Sequence, residues 1–145
     1  MTNQGLDAVT GAFSYSGRAI ARELGEQGRR LRTLTGHPER AARSSSDIEV
    51  APLSFSNPVA LAHSLEGVDT LYNTYWVRFP RGPVTHETAV INSRALFTAA
   101  KRAGVNRIVH VSITHPDTAS PYEYFRGKAL VEQALAESGV SFAVL

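Results

Sequence analysis

An α/β fold built on a doubly wound parallel sheet is what the sequence predicts, and three observations carry that prediction. Short apolar runs alternate with helix-length segments almost without exception along the 145 residues, which is the pattern of consecutive βα units. The first apolar run, Leu6–Thr10, passes through a small-residue turn, Gly11-Ala12-Phe13-Ser14, directly into a helical stretch. Gly28, Gly67, Gly104 and Gly139 each stand just past a helical stretch, where a residue free to adopt left-handed backbone closes a helix.

The elements follow in order. Leu6–Thr10 reads as the first strand. A helix begins near Gly17 and ends by Gly28, with Gly25 inside it at a cost of about 1 kcal/mol relative to alanine. The second strand is Leu31–Thr35, and a short helical segment follows at Pro38–Arg43. Ile48–Pro52 is the third strand. Asn57-Pro58 pairs an N-cap with a proline in the first helical position, and that helix runs to Gly67. The fourth strand is Asp69–Tyr75. A loop, Phe79-Pro80-Arg81-Gly82-Pro83, leads to a long helix at His86–Ala103, capped by Thr85 and ended by Gly104. Arg107–Ser112 is the fifth strand. A helix starts at Pro121 or just after it and runs through Glu137. Gly139 closes that helix, and Val140–Leu145 reads as the sixth strand. Crossovers between parallel strands are right-handed. The chain stops on this apolar run, so the expectation is a single domain truncated after its sixth strand, the N-terminal part of a longer protein.

Composition narrows the chemistry. Hydrophobic residues make up 43% and charged residues 19%, the balance of an ordinary soluble globule. The absence of cysteine excludes disulfides, thiolate catalysis and cysteine-ligated metals. A net charge of +2 is too small to point to nucleic acid as the main partner. No apolar run is long enough to span a bilayer, so no membrane partner is expected. Met1–Gly5 carries neither the basic nor the apolar region of a signal peptide, and a cytoplasmic location is the expectation. The five histidines are scattered, none in a metal-ligand spacing such as His-Glu-x-x-His, so no metal site is expected.

The strand–turn–helix at Asp7–Arg18 is the context in which a dinucleotide pyrophosphate is held, on unpaired N–H groups at a helix N-terminus. Gly11 allows the tight turn and Gly17 the close approach of helix and strand. Ser14 stands where the middle glycine of such a turn usually lies. Its Cβ either crowds the phosphates or forces a positive φ, or its hydroxyl donates to them. The alternative for the whole loop is a plain βα turn that uses glycine for geometry alone. After the second strand, Thr35-Gly36-His37-Pro38 offers no acid until Glu39, whereas an acid there would receive the ribose 2′-hydroxyl of NAD. Arg18, Arg32, His37 and Arg40 lie near enough to meet a 2′-phosphate, which points to NADP. The alternative for each arginine is a solvated surface charge.

Tyr124 and Lys128, four residues apart, share one helical face. An ammonium beside a phenol makes the phenol a usable acid/base near neutral pH. A surface tyrosine lying along a lysine stem is the alternative, but sites in open α/β sheets lie at the carboxyl ends of strands, and this pair follows the fifth strand. Trp76, Arg78 and Phe79, after the fourth strand, are in reach of a substrate, or form a surface loop with one anchored aromatic.

These residues together resemble the short-chain dehydrogenase/reductase superfamily in its atypical or extended branch, near the NmrA-like and NAD-dependent epimerase/dehydratase-like proteins. The resemblance rests on Thr10-Gly11-Ala12 through Gly17-Arg18, Gly67-Val68-Asp69, Asn92-Ser93, Ala103-Gly104-Val105 leading into Val109-His110-Val111-Ser112, and Tyr124 with Lys128 and Glu132. It covers essentially the whole chain and implies a Rossmann-type NAD(P)-binding fold. It implies that Thr10, Gly11, Phe13, Ser14, Tyr15 and Gly17 line the pyrophosphate site. Thr35, His37 and Arg40, by their place after the second strand, are the candidates to face the adenosine ribose; by the resemblance Leu53, Ser54 and Phe55 flank adenine, and Asn73 and Thr74 lie beside the nicotinamide ribose. Ser112 polarises a substrate oxygen, Tyr124 is the acid/base, and Lys128 binds ribose hydroxyls. A small-molecule substrate and a substrate-binding portion beyond the sixth strand are implied as well. So is a possible homodimer through the His86–Ala103 helix and the Tyr124 helix.

Two functions follow. The first is an NAD(P)-dependent oxidoreductase or epimerase, favoured by the Tyr124–Lys128 pair. The second is a non-catalytic NAD(P)-binding sensor, regulator or assembly factor of the NmrA-like or complex I accessory-subunit type, favoured by Ser14 and by the absent substrate region.

Overall fold

Six parallel strands form one sheet in the order β3-β2-β1-β4-β5-β6 in the computed structural model, which describes residues 4–44 and 47–145. The strands are β1 (Leu6–Thr10), β2 (Arg30–Thr35), β3 (Glu49–Pro52), β4 (Val68–Asn73), β5 (Arg107–His110) and β6 (Ser141–Val144). The helices between them are α1 (Tyr15–Glu26), α2 (Pro38–Ala42), α3 (Pro58–Ser64), α4 (His86–Ala103) and α5 (Glu123–Glu137). The chain winds outward from β1 to β3, returns to β4 on the other side of β1, and winds outward again. The reversal between β1 and β4 opens a crevice at the carboxyl ends of the strands, where ligands of such sheets bind.

Burial explains the layering. All residues of the central strand β1 are buried, as expected of a strand covered on both faces. On one face Val9, Ala12 and Leu31 meet Ala21 and Leu24 of α1. On the other, Leu61 and Leu65 of the α3 region, Leu96 and Phe97 of α4, and Val131 and Leu135 of α5 pack over Ala8, Leu34, Leu71 and Ile108.

Local signals set the helix ends. The Asn57 side chain accepts a hydrogen bond from the Ala60 N–H at 3.1 Å, and Thr85 caps α4 through the Thr88 N–H at 3.1 Å. Gly104 ends α4 with φ +78°. Several boundaries differ from the sequence reading, β5 ending at His110 rather than Ser112 among them, and two have a visible local cause. Helix α1 starts at Tyr15 rather than Gly17, because Ser14 caps it. Strand β4 ends at Asn73 rather than Tyr75, because Thr74 turns back onto Thr10: the Thr74 N–H donates to Thr10 Oγ1 and Thr74 Oγ1 donates to the Thr10 carbonyl, both at 2.7 Å. Helix α5 starts at Glu123, just after Pro121 as the sequence reading has it, and follows an extended Tyr122.

Candidate dinucleotide site

The turn after β1 is a cradle of backbone donors. Gly11 has φ +66°, a conformation glycine adopts without cost, and its N–H donates to the Leu34 carbonyl at 2.9 Å. The Ala12 N–H donates to Thr33 Oγ1 at 3.0 Å. These bonds tie the turn to β2. Ser14 has φ −76°, so the side chain imposes no left-handed backbone. Its hydroxyl donates to the Gly11 carbonyl at 2.7 Å and accepts from the Gly17 N–H at 3.3 Å. The residue that interrupts the glycine pattern is thus the N-cap of α1. A Cβ at Gly17 would lie 2.0 Å from the Gly11 carbonyl oxygen, so only glycine fits there. The N–H groups of Phe13, Tyr15 and Ser16 have no partner among the described residues and stand as free donors at the helix N-terminus. Arg18 brings its guanidinium against the same turn by donating to the Phe13 carbonyl at 3.2 Å. Tyr15 is 96% exposed at the mouth of the turn.

The neighbouring strand ends flank this cradle. Thr35 Oγ1 accepts from the His37 N–H at 3.1 Å, and Gly36, His37, Glu39, Arg40 and Arg43 line a cleft of about 290 Å³. Arg32 is a correction to the sequence reading. Its guanidinium pairs with Glu49 at 2.9 Å and donates to the carbonyls of Ser64 and Glu66 at 3.0 and 2.8 Å, so it braces β2 against β3 and α3. After β3 the Leu53 N–H donates to the Thr35 carbonyl at 2.8 Å. Ser54 is half-buried, and the Phe55 ring lies 4.7 Å from that of Tyr75. Asn73 is fully buried. Its Oδ1 accepts from Thr10 Oγ1 at 3.2 Å and from the Tyr75 N–H at 3.1 Å, while its Nδ2 faces His110 Nδ1 at 3.0 Å. The side chains of Thr10 and Asn73 therefore join β1, β4 and β5. Burial, and secondarily the charge on Lys128, lowers His110 to about 4. The ring is neutral near pH 7 and, accepting at Nδ1, carries its proton on Nε2.

Beyond β5 a second cluster forms between α4 and α5. Lys128 is 4% exposed. Its Nζ lies 3.5 Å from the Val111 carbonyl and 4.7 Å from the centroid of the Trp76 ring. Burial lowers Lys128 to about 8, opposed by the charge on Glu132, so the ammonium persists at neutral pH. Tyr124, one turn earlier, is half-buried and meets Trp76 and His86 edge-on at 5.7 and 5.5 Å. Trp76 and His86 stack within 5° of parallel at 5.6 Å. The structure thus brings Tyr124, Lys128 and Trp76 together. Ser112 follows β5, with its Oγ buried and unpartnered, and no hydrogen bond joins Tyr124 to Ser112 or Lys128 among the described residues. The indole Nε1 and both ring nitrogens of His86 are also buried without hydrogen-bond partners, His86 Nδ1 lying 3.9 Å from Glu123 Oε2. His86 was not singled out in the sequence, because nothing in its spacing signals a residue that opens one helix and packs against another. Arg78 and Phe79 are exposed, 5.7 Å apart.

A dinucleotide fits this surface. Free N–H groups at a helix N-terminus suit a pyrophosphate, the space a Cβ at Gly17 would fill keeps the turn tight, and a buried ammonium suits ribose hydroxyls. No helix among the described residues is long and apolar enough to cross a membrane.

Comparison with known proteins agrees. The Photosystem II assembly factor Ycf39 of Cyanophora paradoxa is 26% identical over 138 residues, covering 94% of this chain and 43% of that protein. The structure of Citrobacter sp. triphenylmethane reductase complexed with NADP(H) superposes with a TM-score of 0.78 at 18% identity, over 95% of this chain and 47% of the reductase. The NADPH-dependent quinone oxidoreductase of Escherichia coli, complexed with NADPH, gives a TM-score of 0.77 at 25% identity, again over 95% and 47%. The chain spans less than half the length of each of these proteins. The NAD(P)H-binding family matches residues 11–145. With six parallel strands wound about a glycine turn that presents free N–H groups, this chain belongs to the NAD(P)H-binding family.

Proposed function

We propose that this chain is the dinucleotide-binding half of an NAD(P)-dependent oxidoreductase or epimerase-type enzyme with Tyr124 as its acid/base. The observation that carries the reading is the buried Lys128 ammonium, one helical turn from Tyr124 at the carboxyl end of β5, with a single 3.5 Å carbonyl contact among the described residues. The N–H groups of Phe13, Tyr15 and Ser16 would hold the pyrophosphate, with Arg18 beside them. Leu53, Ser54 and Phe55 would flank adenine, and Thr74 the nicotinamide ribose. Lys128 would take the ribose hydroxyls. The bound nicotinamide supplies the hydride donor or acceptor. Tyr124 gives a proton to, or takes one from, the oxygen of a small carbonyl or alcohol substrate, and the Lys128 charge stabilises the negative charge that develops on the phenol oxygen. The unpartnered Ser112 hydroxyl is the donor that would polarise that substrate oxygen. Substrate contacts from beyond Leu145 complete the enzyme. The apolar groove between α4 and α5, with Val90, Ile91 and Leu130 on its walls, is where a homodimer would form.

In the full-length protein Tyr124→Phe is expected to abolish turnover while leaving the dinucleotide dissociation constant within about twofold, since the hydroxyl acts on the proton rather than on binding. An unchanged rate sinks the catalytic assignment. Cofactor choice follows from the absence of an acid before Glu39 and from His37 and Arg40 in one cleft. Calorimetry is expected to show tighter binding of NADPH than of NADH, and a clear NADH preference refutes this.

Similarity to an assembly factor supports a second reading, a dinucleotide-binding assembly or regulatory protein. It predicts NADPH binding with no turnover in the full-length protein and no phenotype for Tyr124→Phe.

A further inference from the structure

The proton transfer above leaves one central aromatic without a role. Trp76 follows β4, and its indole lies against both members of the Tyr124–Lys128 pair. The ring carries the Lys128 ammonium at 4.7 Å and meets the Tyr124 ring at 83° and 5.7 Å. The His86 ring stacks on the indole in parallel at 5.6 Å. The seat is shaped to the indole. Gly127, between Tyr124 and Lys128 in sequence, is where a Cβ would come 2.8 Å from Trp76 Cη2. A side chain at 127 therefore requires the indole to shift. The other ionisable groups around Lys128 are Tyr124 and Glu132 on its own helix and the neutral His110 on β5.

We infer that Trp76 is a positioning residue for the Tyr124–Lys128 pair, seated by Gly127 and stacked against His86. The inference rests on the dinucleotide role of Lys128 given above. The face of an indole attracts a desolvated ammonium, and edge-on contact fixes the tilt of a neighbouring ring. Leucine fills comparable space but offers neither effect. Phenylalanine keeps both in weaker form.

The test uses the full-length protein with NADPH as the probe, and the variants Trp76→Phe, Trp76→Leu and Gly127→Ala. Calorimetry is expected to show NADPH binding weakened about tenfold in Trp76→Leu and Gly127→Ala, and by no more than about threefold in Trp76→Phe. The alkaline midpoint at which NADPH affinity is lost should fall in Trp76→Leu, because the ammonium loses a stabilising neighbour. Trp76 is the only tryptophan in the chain, so its emission should transfer to the bound dihydronicotinamide. If NADPH binds with measurable heat but tryptophan emission is unchanged, the positioning role is overturned and the cofactor reading stands. The same holds if Trp76→Leu matches the parent in affinity and midpoint, or if Phe and Leu lose affinity equally in step with melting temperature. Absence of binding heat in the parent protein overturns both.

Discussion

The two ends of the sheet treat their polar groups in opposite ways. At the amino end, Arg29 grips the buried Asp7 with two hydrogen bonds of 2.8 and 2.7 Å and reaches Asp69 at 3.2 Å. Its guanidinium is held above its ordinary value chiefly by the bond to Asp7. At the carboxyl end, the N–H groups of Phe13, Tyr15 and Ser16, the Ser112 hydroxyl, the indole nitrogen and both His86 nitrogens have no hydrogen-bond partner among the described residues, His86 Nδ1 lying 3.9 Å from a Glu123 oxygen. Buried polar groups are ordinarily matched within the fold. The charges at the amino end are matched by the chain itself, whereas open groups gather at the carboxyl end, as a ligand-binding end would leave them; His110 Nε2 and Glu132 Oε2 are open inside the fold as well.

The largest expected effect breaks the matched end. Arg29→Ala strands a carboxylate whose side chain is 3% exposed, at a cost of about 3 kcal/mol. Denaturant unfolding should show that loss, with NADPH affinity of the folded protein unchanged. A loss below about 1 kcal/mol would mean the Asp7 carboxylate finds water instead.

The next concerns the hydrogen-bonded Asn73–His110 pair at the carboxyl ends of β4 and β5. His110 is lowered from 6.5 to about 4 by burial. Between those values the unfolded chain binds the extra proton, so stability falls as pH drops below 6.5, by about 3 kcal/mol once below 4. Melting temperatures of the parent and His110→Gln across that range should converge toward low pH. Parallel curves would show that another group carries the acid sensitivity.

The smallest sharpens the open end. Ser14→Ala removes an N-cap and should cost about 1 kcal/mol, whereas Ser14→Gly costs a few tenths. If Ser14→Ala leaves the melting temperature unchanged and abolishes NADPH binding, the hydroxyl belongs to the phosphates rather than to the helix.

Much of this organisation was legible in the chain. The bounds of β1 and α4 match the sequence reading, because Leu6–Thr10 is a bounded apolar run and Thr85 and Gly104 are unambiguous caps. Gly17 was readable as a site of close approach, and its carbonyl neighbour confirms that. Ser14 was not: a hydroxyl can serve a phosphate or a helix end, and only the 3.3 Å bond from the Gly17 N–H shows which bond it makes here. Arg32 was grouped with the cofactor arginines because the sequence shows a charge but not its neighbour, and Glu49 is that neighbour.

By itself, then, the sequence determined the alternation of strands and helices, the glycine turn, the caps and the Tyr124–Lys128 spacing. All of these are local, set by side-chain period, by backbone freedom at glycine or by contacts within one helical turn. Tertiary structure alone decided which charges are matched and which remain open. Arg29 meets Asp69 across 40 residues of sequence, and Trp76 reaches Lys128 from a different strand end. Such contacts depend on strand order and register, which no local pattern encodes.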